Sequence, residues 1–251
     1  MSALAYLCDY ESNSEDSDCD LSSKGLDRPK FPLPNLSKVP VVPLEDVHVD
    51  NALLHGGRVR SFPHMRGNWA TFVYVQYNVD EICELINKLE KVVIANVGSC
   101  NHCEDFHISL SKTFVLKYHL ISPFSSSLQK SLSNIDSFDL GFAAVKIYCN
   151  EENSRTFISL EVDSFTQKTL LGISKKVDGV LSEFRLPTFY EKASFHMSVL
   201  WVNGNRKSEL KSVLENLNDL FIVSIEKSPK TFLVDTINCR SGNKYFQYSL
   251  C

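Results

Sequence analysis

Apolar and polar positions change their period along this chain, and each change marks an element. Residues 69–77 (WATFVYVQY) are aromatic and β-branched, which predicts a strand. Residues 80–95 set Ile82, Leu85, Ile86 and Leu89 at helical spacing, with Asp80 near the start. Further helices are expected around 120–135, over 166–185 and near 206–217. Strands are expected over 106–110, 142–148, 156–162 and 195–202, with two closing strands near 231–237 and 244–248. The order is strand, helix, strand, then a strand pair, helix, strand, helix and strands. That order predicts an α+β fold.

Two of these strands carry nearly the same phrase. FHISL occupies residues 106–110 and FHMSV residues 195–199, and each strand follows a helix. The parallel suggests an internal repeat, although the halves share little else in sequence. On a strand, residues two apart share a face, so His107 and Ser109 point one way while Phe106, Ile108 and Leu110 point the other. His196 and Ser198 divide from Phe195, Met197 and Val199 in the same manner. Side by side, the two strands would bring two imidazoles and two hydroxyls together. Such a cluster suits phosphodiester chemistry without a metal. One neutral histidine takes a proton from a 2′-hydroxyl or water, and the other, protonated, gives one to the leaving 5′-oxygen. Imidazole serves both tasks because its pKa lies near 6.5, and each transfer contributes about 10²–10⁴-fold. Serine hydroxyls can donate to the phosphate oxygens. A lone HxS says little, since about one is expected by chance in a chain of this composition. The doubled phrase with matching apolar flanks is what carries the reading.

Size and charge narrow the possibilities. The 251 residues are 43% hydrophobic, enough for one sizeable domain or two small lobes sharing a core. The net charge of −4 is concentrated at the start, where Asp9, Glu11, Glu15, Asp16, Asp18, Asp20 and Asp27 face only Lys24, Arg28 and Lys30. The rest is neutral, so no broad basic surface announces nucleic acid, and any RNA must be held by a local site. Residues 9–30 are rich in serine and acids and are expected to be disordered. Pro29, Pro32, Pro34, Pro40 and Pro43 mark an extended linker. The expected division is a tail and linker over 1–54 and a two-lobed domain over 55–251. No stretch approaches the roughly 20 apolar residues of a membrane span, and the first residues lack the pattern of a secretory signal. The eight scattered cysteines are expected to be free thiols in a reducing compartment.

Two H-x-S/T-hydrophobic motifs are the mark of the two-histidine phosphoesterase superfamily, which this sequence resembles. Four longer stretches, at 58–75, 106–119, 145–162 and 188–201, look like one branch of that superfamily that trims RNA 3′ ends. CRSGNKYF at 239–246 closes the chain in the same way, so the similarity spans about residues 55–249. The resemblance implies two pseudo-symmetric lobes of antiparallel sheet plus helices around a central cleft. It implies a 3′–5′ exoribonuclease that needs no cofactor or metal, acts on the uridine-rich 3′ end of U6 snRNA and leaves a 2′,3′-cyclic phosphate. It makes His107 and His196 the catalytic pair, puts Ser109 and Ser198 on the scissile phosphate and stacks Tyr190 on the terminal base. A nuclear location follows from that substrate, and a self-contained cleft is consistent with a monomer. Either orientation of acid and base fits two histidines flanking one phosphate; His196 is taken as the base and His107 as the acid. Two other readings stand beside this one: a hydrolase of small 2′,3′-cyclic or 2′,5′-linked substrates, and an inactive module that binds RNA 3′ ends. Intact histidines and serines in both phrases argue against the last.

Other signals carry less. Cys100-Asn101-His102-Cys103 resembles half a zinc site, but no second pair follows, so an exposed loop with free thiols is expected. His64 and His119 are expected to make framework contacts. Lys112 either meets an RNA phosphate or is a solvated surface lysine. The SGNK turn at 241–244 could bring Asn243 and Lys244 near the cleft, while Gly67 and Trp69 shape the entry to the first strand.

Overall fold

The aromatic run is a strand, β1 (Asn68–Gln76), and the helical spacing after it forms α1 (Cys83–Val97), closed by Gly98 in the left-handed conformation. The computed structural model describes residues 65–78, 82–227 and 231–251. All of these lie in a compact unit spanning Asp46–Cys251. The expected tail, linker and domain start, as well as His64 and Asp80, lie outside the described residues.

The chain continues through β2 (Asn101–His102), β3 (His107–Ser109) and β4 (Phe114–Lys117) to α2 (Tyr118–Leu132). β5 (Phe138–Leu140), β6 (Phe142–Cys149) and β7 (Arg155–Val162) precede α3 (Ser164–Glu183). The Asp163 carboxylate caps α3 by accepting from the Phe165 and Thr166 N–H groups, both at 2.8 Å. β8 (His196–Asn203), α4 (Lys207–Lys211), α5 (Leu214–Lys227), β9 (Phe232–Val234), β10 (Thr236–Ser241) and β11 (Lys244–Ser249) complete the order. The fold is α+β, as expected.

Among the described residues one nine-stranded sheet runs β11-β10-β1-β3-β8-β7-β6, with β2 on β8 and β4 on β1, and its pairings are antiparallel. The two phrase-bearing strands are the middle pair, joined at Ile108↔Met197. Each is flanked by a long strand, β1 beside β3 and β7 beside β8, so the sheet repeats itself about this seam. The apolar side chains of the phrases (Phe106, Ile108, Leu110, Phe195, Met197, Val199) are buried in the same core as Leu85, Leu89, Leu128, Leu170 and Leu217 of the helices. Burying each such side chain contributes roughly 1.5–3 kcal/mol, which holds the opposite face of both strands toward solvent.

Two expectations are adjusted and a third is met. The helix near 206–217 is two helices that reach Lys227; the β-branched FIVSI stretch is helical because Leu217 and Phe221, four residues apart, are both buried. The closing run 231–237 breaks at Asp235, so β9 pairs with β5 and β10 joins the main sheet. The SGNK turn does form a hairpin, with Gly242 at φ +57 and its N–H bonded to the Ala70 carbonyl at 2.8 Å. A Cβ at Gly242 would stand 2.6 Å from the Trp69 ring, so packing as well as backbone conformation requires glycine there.

Candidate active site

The seam fixes how the two phrases face each other. Continuing the Ile108↔Met197 register one residue each way sets His107 across from Ser198 and Ser109 across from His196. All four side chains point away from the core, so each histidine meets the serine of the other phrase. The sequence-predicted catalytic and phosphate-binding residues are thus brought together.

The two imidazoles are held alike. The Nδ1–H of His107 donates to the Asp105 carbonyl at 2.9 Å, and that of His196 donates to the Ser194 carbonyl at 2.7 Å. A carbonyl can only accept, so Nδ1 carries hydrogen in both rings, and Nε2 is left to exchange a proton in the cleft. Burial pushes both pKa values below the ordinary 6.5; the neighbouring His107 adds to the lowering at His196, and the Glu161 carboxylate opposes it. The Asp105 carbonyl and carboxylate oppose the lowering at His107.

Their ring contacts differ. His107 meets Tyr74 edge-on at 5.5 Å and Phe72 at a tilt, 5.6 Å away. His196 lies flat on Tyr148, with centroids 3.8 Å apart and planes 12° from parallel. The Tyr148 hydroxyl and the Ser194 hydroxyl lie 2.7 Å apart, so Tyr148 supports the same residue whose carbonyl orients His196. Glu161 stands opposite His196 in the β7–β8 register and pairs with Lys146.

The serines also differ. The Ser198 hydroxyl shares a 3.0 Å hydrogen bond with Ser159, which is fully buried. The Ser109 hydroxyl makes no hydrogen bond among the described residues and is open to a ligand oxygen. Tyr190 stands in the loop entering β8, 48% exposed, with its hydroxyl 3.5 Å from Glu151. The Lys112 ammonium lies over its ring, 4.1 Å from the centre, and makes no ion pair among the described residues.

Sequence reasoning missed Tyr148, Ser159, Ser194 and Glu161. All but Ser194 lie on β6 and β7, and their only signal was alternation along strands whose register with β8 could not be known in advance. Lys244 is corrected: it lies over Tyr118 and Trp69, at 4.8 and 6.0 Å, away from the cleft. Asn243 is in the hairpin turn and is likewise not among the cleft contacts. His119 is exposed on α2. CNHC is not a plain loop; it pairs through β2 with β8, and His102 Nε2 lies 3.0 Å from Glu90. Burial, aided by Glu90, pushes the Cys100 thiol up to about 11. Among the described residues no three His, Cys, Asp or Glu side chains converge as a metal site, and six cysteines are free. No described helix is long and apolar enough to cross a membrane.

A family model described as "HVSL: Uncharacterised conserved protein" matches residues 31–249. "U6 snRNA phosphodiesterase 1" of Danio rerio is 39% identical, with 88% of this chain and 81% of that protein covered. The protein of the same name from Homo sapiens is 38% identical over 90% of this chain and 86% of its own length. That of Drosophila melanogaster is 37% identical and aligned along the whole of both chains. Among solved structures, Kluyveromyces marxianus Usb1 superposes with a TM-score of 0.52, 12% identity, 75% of this chain and 100% of its own covered, which is a likeness of fold.

Proposed function

The chain belongs to the HVSL family and is similar over most of its length to proteins named U6 snRNA phosphodiesterase 1, and on that premise we propose that it trims the uridine-rich 3′ end of U6 snRNA as a 3′–5′ exoribonuclease. The observation that carries this reading is the seam itself: two imidazoles in the same tautomer, on adjacent antiparallel strands, each across from a serine.

The reaction needs two proton transfers at one phosphate. The 2′-hydroxyl of the penultimate nucleoside attacks phosphorus, the bond to the 5′-oxygen of the terminal nucleoside breaks, and a 2′,3′-cyclic phosphate remains. Tyr190 stacks on the departing base, worth roughly 1–3 kcal/mol. Its loop runs directly into His196, so the leaving nucleoside lies on the His196 side. The flat Tyr148 ring against His196 favours its imidazolium, which suits it to protonate the 5′-oxygen. His107 then takes the 2′-hydroxyl proton. This orientation is the reverse of the one expected from the sequence. Ser109 and Ser198 donate to the non-bridging oxygens, where charge accumulates. The two imidazoles supply both proton transfers, so the step requires no metal. The reading carries a nuclear location, set by the substrate, and a monomeric enzyme, since both phrases come from one chain.

Incubation with oligouridine-tailed RNA, with and without strong chelation, tests the reading. The expected result is stepwise shortening, unaffected by chelator, to 3′ ends that resist phosphatase until the cycle is opened with acid. Cleavage of isolated 2′,3′-cyclic or 2′,5′-linked nucleotides with no shortening of RNA would instead identify a small-substrate hydrolase.

The pH dependence has a defined sign. Activity requires neutral His107, so it rises as pH passes a pKa held below 6.5 by burial. It also requires protonated His196, so it falls as pH passes a second pKa held below 6.5. The kcat/KM profile of the free enzyme is therefore a bell whose maximum lies on the acid side of 6.5. A maximum above about pH 7 would contradict these environments.

A further inference from the structure

The cleft does not end at the seam. On the His107 side it opens into a groove of about 570 Å³, within the roughly 300–1,000 Å³ usual for small-molecule sites. His107 borders it, whereas His196 and Tyr190 do not. Strand alternation builds its floor: Phe72 and Tyr74 of β1, Asn238 and Arg240 of β10, and Tyr245 of β11 all present their side chains to the same face as His107.

The lining chemistry selects an occupant. Phe72 and Tyr74 stack on each other at 4.8 Å, and Tyr245 is 62% exposed beside the Arg240 guanidinium, 5.1 Å away. Phe72, backed by the buried Tyr74, and Tyr245 offer flat surfaces of the kind on which a base stacks. Asn238 is only 7% exposed, yet its side-chain amide has no hydrogen-bond partner among the described residues. The amide keeps contact with solvent in the groove, where the edge of an occupant can replace water as its partner. The charges disfavour a second phosphate: Arg240 is already paired with Asp105 at 3.5 Å, and Asp235 adds a further acid. A neutral, flat group bearing hydrogen-bonding edges fits, which describes a nucleobase.

We propose that this groove is the subsite for the nucleoside on the 5′ side of the scissile phosphate, with its base against the aromatic wall and its edge on Asn238. The proposal rests on the reading in which Tyr190 holds the departing base. It gives the enzyme two unlike base sites, a single tyrosine in the loop entering β8 for the nucleoside that leaves and a groove on the sheet face for the one that stays. Asp105 links the groove to the chemistry, since its carboxylate holds Arg240 and its carbonyl orients His107.

The test compares UpU with the dinucleotide whose 5′-side base is deleted to leave a bare ribose. The wild-type kcat/KM ratio of UpU to the abasic substrate is expected to be about tenfold or more. In Asn238→Leu and in the exposed-site variant Tyr245→Ala the ratio falls toward one. Each variant is read against itself, so a loss of folded protein does not imitate the effect. Tyr190→Ala should leave this ratio intact and instead reduce dependence on the 3′-side base. A wild-type ratio near one, or a ratio unchanged in both groove variants, would overturn the groove assignment. A ratio that collapses in Tyr190→Ala and not in the groove variants would also overturn it, with the subsites exchanged. Failure of the wild type to cleave any RNA would instead remove the exoribonuclease reading beneath it.

Discussion

His107→Ala and His196→Ala each reduce single-turnover trimming of oligouridine-tailed RNA by about 10²–10⁴-fold, the loss expected when one of two proton transfers is left to water. The double variant is little worse than either single one, because acid and base act on the same transition state and their contributions do not add. Folding is not the source of the loss. Both rings are partly exposed and lie on the cleft face, while the apolar anchors of both strands are untouched in the core. Near-ultraviolet circular dichroism of the variants should match the wild type. Trimming within tenfold of wild type in either variant would remove the two-histidine site from consideration.

The second large effect separates the two histidines. Uridine 3′-(4-nitrophenyl phosphate) keeps the attacking 2′-hydroxyl but has a leaving group that departs without a proton. With this ester His196→Ala recovers most of the rate it loses on RNA, a gain of about 10²-fold or more, while His107→Ala stays defective on both substrates. The reverse pattern would restore the orientation expected from the sequence, with His196 as base. Equal losses on both substrates would mean that neither ring acts as a dedicated acid.

The parts of this molecule that could be read from sequence were those whose meaning is local. Helical spacing gave α1 and α3 within a few residues, and alternation within FHISL and FHMSV separated core from cleft without any knowledge of partners. The four residues of the doubled phrase were found because the same five-residue pattern recurs. Tyr148 and Ser159 were not, since what matters about them is their place beside β8, which only strand register reveals. Asn238 falls just past the closing strand expected near 231–237; its place on the floor of the groove emerges only when β10 lies against β1. Short strands such as β2, β4 and β5 were missed because two to four residues hold too few positions for a period to register.

The seam between the phrases has a consequence for the order in which this protein gains its activity. β3 is three residues long, and it must find β8 across a sequence separation of 89 residues. Closing so long a loop costs chain entropy that no local contact returns, and non-local pairings of this kind slow folding. Neither lobe, however well formed alone, can hold a phosphate between two proton carriers. During synthesis the ribosome releases the first phrase long before the second exists, so a nascent chain is catalytically silent. RNA meets an active nuclease only after this seam has closed.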